Sequence, residues 1–154
     1  MTMSEGATDL KLLALDGEDL AVLSAHLQDA FVCRDEIVYL PSQKRFALGA
    51  WRYDWCGYAA GRKERVGAVL RFDRVMKVRH IGLAGVKPKA QLNLLAISFD
   101  EHDPPAGTVT LTFSGGTAIR LDVECLEGEL RDIGPRRQVE SCPGHVLADE
   151  GETG

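Results

Sequence analysis

GTVTLTFSGGTAIRLDVECLEGELRDIG, residues Gly107 to Gly134, is the stretch on which the expected fold turns. Val109, Leu111 and Phe113 alternate with Thr108, Thr110 and Thr112, a period of two that suits a half-buried strand. Ser114-Gly115-Gly116-Thr117 supplies the adjacent glycines that a tight hairpin turn requires. Ile119, Leu121 and Val123 then alternate with Arg120 and Asp122 and give the return strand. From Val123 the spacing changes. Val123, Leu126, Leu130 and Ile133 line one face of a helix, with Asp122 as its N-cap and Gly134-Pro135 as its stop. Strand, turn, strand and a closing C-terminal helix is the expectation for this segment.

Working outward, the chain of 154 residues is 45% hydrophobic, enough for one domain with a core. Leu10–Leu15 reads as a first strand, and Asp16 caps a helix over Glu18–Ala30 whose apolar stripe is Leu20, Leu23, Leu27 and Ala30. Asp35–Leu40 and Arg45–Trp55 read as strands. The apolar set of the second shifts phase between Ala50 and Trp51, which predicts a bulge or sharp bend near Gly49–Trp51. Cys56–Arg65 is a basic, glycine-bearing loop. Val66–His80 is a long alternating run, interrupted at Asp73-Arg74. Leu92–Phe99 is apolar on both faces, as in a central strand covered by a helix.

Residues 1–8 and 136–154 are expected to flank a single domain over 9–135 as a disordered start and a loose acidic tail. The fold class is therefore α+β. It is a strongly bent antiparallel sheet or partly open barrel of about seven strands, with a helix after the first strand and an amphipathic C-terminal helix on the sheet. That ending resembles the pleckstrin-homology-like superfold. Three phrases, LKLLALDGEDLAVLSAHLQDA, LNLLAISF and GTVTLTFSGGTAIRLDVECLEGELRDIGP, resemble an uncharacterised family of alphaproteobacterial proteins catalogued as a domain of unknown function. The resemblance implies a soluble bacterial protein of one domain and supplies no catalytic residues to carry over.

Composition narrows the function. No apolar run approaches the roughly 20 residues that span a bilayer, and MTMSEGATD has no signal-peptide pattern, so a cytoplasmic protein is expected. Cys33, Cys56, Cys125 and Cys142 lack framework spacing and read as reduced thiols. Cys142 and His145 have C-x-x-H spacing, but with Cys125 they give three ligands where a structural zinc site takes four, so no metal and no cofactor is expected. The sequence holds no nucleophile elbow and no phosphate-loop motif.

The net charge is −5, yet residues 31–90 carry 13 Lys/Arg against 5 Asp/Glu. The first reading is a non-enzymatic binding or protein-interaction module. Arg62, Lys63 and Arg65 of a basic loop and Arg71, Lys77 and Arg79 of a strand face would meet an acidic protein or a second copy. A second reading is a small enzyme with His80, Asp73, Arg74 and Tyr53 converging in a pocket of the sheet. A third is single-stranded nucleic-acid or anionic-ligand binding, with Trp51, Tyr53 and Trp55 interleaved among cations. The acidic net charge argues against nucleic acid.

Overall fold

A computed structural model describes residues 9–140. Ten strands form one antiparallel sheet that does not close. In chain order they are β1 (Lys11–Ala14), β2 (Ala30–Cys33), β3 (Ile37–Leu40), β4 (Arg45–Tyr53), β5 (Glu64–Phe72), β6 (Val75–Ile81), β7 (Gln91–Glu101), β8 (Gly107–Phe113), β9 (Ala118–Val123) and β10 (Gly128–Gln138). Helix α1 spans Gly17–His26 and the short α2 spans Trp55–Ala59. Across the sheet the order is β1-β10-β5-β4-β2-β7-β8-β9-β6, with β3 added beside β4. One apolar cluster takes residues from both ends of this order, among them Leu130, Phe72, Leu48, Leu94, Leu111 and Leu121. The sheet must therefore curl around its own inner face to bury them together.

Local chemistry explains several elements. Asp16 accepts a hydrogen bond from the Asp19 N–H at 2.8 Å and so caps α1. The helix lays Leu20 and Leu23 into the core and ends in Leu27, also buried. It covers β7, where Ser24 Oγ accepts from the Ile97 N–H at 2.9 Å. β8 and β9 form the expected hairpin, with Leu111 opposite Ile119 and Thr110 opposite Arg120. Its turn is a single 3-10 turn, Ser114–Gly116, in which Gly115 and Gly116 have φ of 78° and 82°.

The structure corrects the expected fold in three places. First, no helix follows β9 among the described residues; Gly128–Gln138 is strand β10, set between β1 and β5. The helical spacing is misleading because Leu130 and Asp132 alternate toward the core as strand residues, while Glu129 between them is covered on the other face, where Arg71 pairs with it. Leu130 and Asp132 are buried with Gly128, whereas Ile133, the last member of the supposed stripe, is 63% exposed. A Cβ on Gly128 would lie 2.7 Å from the Phe72 ring directly opposite, so glycine is what allows this strand to cross. The pleckstrin-homology-like ending goes with that helix, and the sheet has ten strands. Second, Gly134-Pro135 does not stop the element. It lies in an irregularity between Asp132 and Arg136, after which pairing with β5 resumes to Gln138, inside the span read as tail. Third, β4 has no bulge: its register with β5 is continuous from Phe46 opposite Phe72 to Tyr53 opposite Arg65. The phase shift was apparent because Arg52, a charged residue, faces inward.

Arg52 and Asp132 form the buried ion pair of the sheet. Arg52 Nε donates to Asp132 Oδ1 at 2.8 Å and Nη2 to Oδ2 at 2.7 Å, with both side chains almost wholly buried. Truncation of either partner strands the other charge. Arg52→Ala should lower unfolding free energy by about 3–5 kcal/mol, while the apolar double replacement Arg52→Met/Asp132→Leu should recover most of that loss in urea denaturation.

Candidate functional site

The six cations singled out in the sequence do not share a surface. β5 and β6 adjoin in the chain at Asp73-Arg74 but diverge in space, β5 lying third in the strand order and β6 at its far end. Arg74 makes the separation possible with φ of 64°. The interrupted alternation was the mark of two strands that do not pair.

Three of the six are committed to internal structure. Arg65 is buried over the Phe31 ring at 3.8 Å, and its Nη1 donates to the Trp51 carbonyl at 2.9 Å. Burial pulls its pKa below the ordinary arginine value, against the opposing pull of Asp29 and Tyr53. Arg62 lies 3.5 Å from both Asp54 and Glu64. Arg71 makes a 2.6 Å ion pair with Glu129 and another at 3.3 Å with Asp73. Lys63 is exposed and alone keeps an outward character in the loop. The stretch read as a loop opens with α2 and ends in β5; α2 is capped by Asp54, whose carboxylate accepts from the Gly57 N–H at 2.9 Å.

The aromatic residues belong to this end of the sheet. Tyr53 is fully buried, edge-on to Trp55 at 4.7 Å and tilted to Tyr58 at 6.1 Å. Trp51 is partly covered, with the Arg137 guanidinium 5.0 Å from its ring. They serve packing beneath α2 and the arginines.

The enzyme constellation does not assemble. Tyr53 pairs with Arg65 at one end of the β4–β5 ladder, and Asp73 follows Phe72 at the other, about 26 Å away along eight residues of chain. His80 stands opposite Ile119 on the remote strand β6. Arg74 pairs with Glu124 and Glu127. Among the described residues no three His, Cys, Asp or Glu side chains could together hold a metal ion. Cys33, Cys56 and Cys125 are free thiols, and Cys142 and His145 lie outside the described residues.

The remaining pair, Lys77 and Arg79, stands with a residue the sequence reading passed over. β6 pairs with β9 so that Arg79 is directly opposite Arg120 and Lys77 opposite Asp122. All three cations are exposed. The only carboxylate on these two strands is Asp122, which accepts from Arg79 Nη2 at 2.7 Å and from Thr108 Oγ1 at 3.2 Å. Burial pushes the Asp122 pKa up, but these two hydrogen bonds outweigh it and hold the group ionised below the usual carboxylate range. Thr108 in turn contacts His102 at 2.9 Å. Thr110 stands beside Arg120 on β8. The signal for Arg120 was present in the hairpin alternation, which set Arg120 and Asp122 outward; what the sequence lacked was the β6–β9 pairing.

A second charge cluster closes the other end of the sheet. Arg136 Nη1 donates to Asp54 at 2.9 Å and to Glu64 at 3.2 Å, and Arg136 lies 3.9 Å from Asp132. His26, at the end of α1, is close enough to feel Arg52, Asp132 and Asp54; burial first, then Arg52, lowers its pKa below the ordinary histidine value.

The molecule is thus an open, single-sheet antiparallel β protein, internally ion-paired at one end and cationic on the exposed β6–β9 face at the other. Its sequence matches the profile of a family described as protein of unknown function (DUF2948) over residues 10–145. The chain belongs to that family. No curated protein and no solved structure matches it. No helix among the described residues is long and apolar enough to cross a membrane.

The closed cluster has a pH consequence. Burial raises the Asp54 pKa, but the Gly57 N–H and Arg136 outweigh it, leaving the folded value depressed. The stabilisation is present above the unfolded value near 3.9 and is lost as pH falls through the folded value. His26 is also depressed, so its contribution is full above about pH 6.5 and declines as the pH falls towards the folded value. His26→Gln should therefore flatten the urea-midpoint profile at and below about pH 6.5, and Asp54→Asn should flatten it only below about pH 4.

Proposed function

We propose that this protein is a non-enzymatic interaction module that binds an acidic segment of a partner protein through the exposed face of β6 and β9. The observation that carries this reading is Arg79 standing in register with Arg120, with Lys77 beside them and Asp122 as the single carboxylate of the two strands. Like charges directly opposite on a sheet are destabilising, by a few tenths of a kcal/mol to about 1 kcal/mol. A carboxylate bridging the two guanidiniums turns that repulsion into two charge-assisted hydrogen bonds. Neighbouring Thr108 and Thr110 add hydroxyls on the same sheet. The basic loop contributes less to this reading, since Arg62 and Arg65 are occupied by the protein's own groups.

Nucleic acid fits the face less well. Asp100, opposite Thr108 on β7, and the adjacent Glu101 place acids within the same half of the sheet, where a long phosphate backbone would have to pass. A protein segment with a few carboxylates needs only the short run of three cations. The proposed encounter takes place in the cytoplasm, where the free thiols stay reduced.

Fluorescence anisotropy with a labelled glutamate-rich peptide tests it. Binding should weaken as salt rises from about 20 to 200 mM. Arg79→Glu/Arg120→Glu should weaken it by at least about tenfold, and Arg62→Glu/Lys63→Glu should leave it within about twofold. Equal loss in both variants, or no binding to either surface, would overturn the assignment. Tighter binding of a single-stranded oligonucleotide of equal charge would overturn it in favour of nucleic acid.

A further inference from the structure

We propose that a second copy of this chain docks on the free edge of β1, continuing the sheet across a two-fold axis at Leu13. β1 ends the strand order and pairs only with β10 among the described residues. The phase of its hydrogen bonds follows from Leu10, whose carbonyl accepts from the Asp132 N–H at 2.9 Å and whose N–H donates to the Asp132 carboxylate at 2.8 Å. Counting by twos, Leu12 and Ala14 face β10. Lys11 and Leu13 therefore turn their N–H and C=O groups away from the sheet. Such an edge is a template for another strand unless it is blocked.

The side chains agree with the backbone. Leu13 and Leu15 are 60% and 61% exposed, and Ile133 on the adjoining strand is 63% exposed. Beside them two adjoining depressions, of about 230 and 360 Å³, share Arg71 and Glu129. Apolar side chains standing around a floor of paired charges make a surface that gains from being covered but needs no foreign countercharge.

The order of charges selects the occupant. On the outer face Lys11 stands opposite Arg131, and Leu13 stands opposite Glu129, which faces Arg71. Past the end of β1, Leu15, whose N–H donates to Asp19 Oδ2 at 3.0 Å, lines one depression together with Glu127, whose carbonyl accepts from the Asp73 N–H at 3.0 Å. The face therefore runs from a row with excess positive charge, where Lys11, Arg131 and Arg71 share the Glu129 carboxylate, to one with excess negative charge, where Arg74 meets both Glu124 and Glu127. A two-fold axis at Leu13 sets Leu13 against its own copy, and brings the cationic row of each chain up to the acidic row of the other. An isologous contact of this kind adds a countercharge to both rows at once. A foreign strand would have to reproduce that order. This contact is separate from the β6–β9 face, which lies at the opposite end of the strand order.

Sedimentation of the full chain over about 5 to 500 μM tests the proposal. The mass should rise from monomer to dimer with concentration. Leu13→Pro removes an outward N–H without touching the β10 ladder, and it should abolish the dimer while the far-ultraviolet spectrum is kept. Lys11→Glu should weaken dimerisation at least about tenfold, and Lys11→Glu/Glu127→Lys should restore it to within about threefold. Arg79→Glu/Arg120→Glu should leave it unchanged. Monomer at every concentration overturns the proposal. A dimer indifferent to Leu13→Pro, or one that the charge exchange does not restore, overturns the two-fold arrangement.

Discussion

The carboxylate of Asp132 is the fixed point of this fold. It accepts both bonds of the Arg52 guanidinium, receives the Leu10 N–H at the start of β1, and lies within reach of Arg136. Three strands and the irregularity of β10 are thereby tied to one buried charge. β5 runs between Arg52 and Asp132, and there it offers Ala68 opposite Asp132 and Val66 opposite Arg52. A small residue at that crossing leaves the room through which the arginine side chain reaches. A buried charge is tolerated only when its partners are in place, so the pair penalises any register that separates Arg52 from Asp132.

That arrangement explains where the cations of the central region went. A local excess of Lys and Arg looks like a binding surface, yet most of it is matched across strands to acids from elsewhere in the chain. Lys44 with Glu124, Arg52 with Asp132, Arg71 with Glu129 and Arg74 with Glu127 are such pairs. The acids at positions 129 and 132 come from the last strand, far away in sequence and adjacent in space. What is left over on an exposed strand face is smaller than the composition suggests and therefore more specific: Lys77, Arg120 and an Arg79 that shares its charge with Asp122.

The sequence was legible where one physical signal dominated. Asp16 before an apolar stripe announced α1, and a threonine-spaced strand running into Gly115-Gly116 announced the β8–β9 hairpin. It was misleading where a charge takes an inward position. Arg52 breaks the apolar alternation of β4 and imitates a bulge; Asp132 does the same in β10 and leaves Leu126, Leu130 and Ile133 at helical spacing. Neither position can be read as inward until its partner 80 residues away is known. β2 was absorbed into the preceding helix because Ala30 completes the stripe of α1, although it belongs to a four-residue strand. The candidate site shows the same limit. Alternation identified the outward faces of β6 and β9 separately, but only the pairing of these strands makes Arg79 and Arg120 neighbours.

The position of β10 has a temporal side. Among the described residues the last strand in the chain sits between the first, β1, and β5, so this end of the sheet has no continuous hydrogen-bond ladder until residue 138 is available. During synthesis β1 and the outer edge of β5 emerge as unpaired edges, and Arg52 emerges without its carboxylate. Local pieces such as the β8–β9 hairpin can form at once, but the domain as a whole is governed by its most distant contact. Such a chain folds as a late, concerted event, and a polypeptide ending before Gly128 would present two open edges and an orphan arginine to whatever surrounds it.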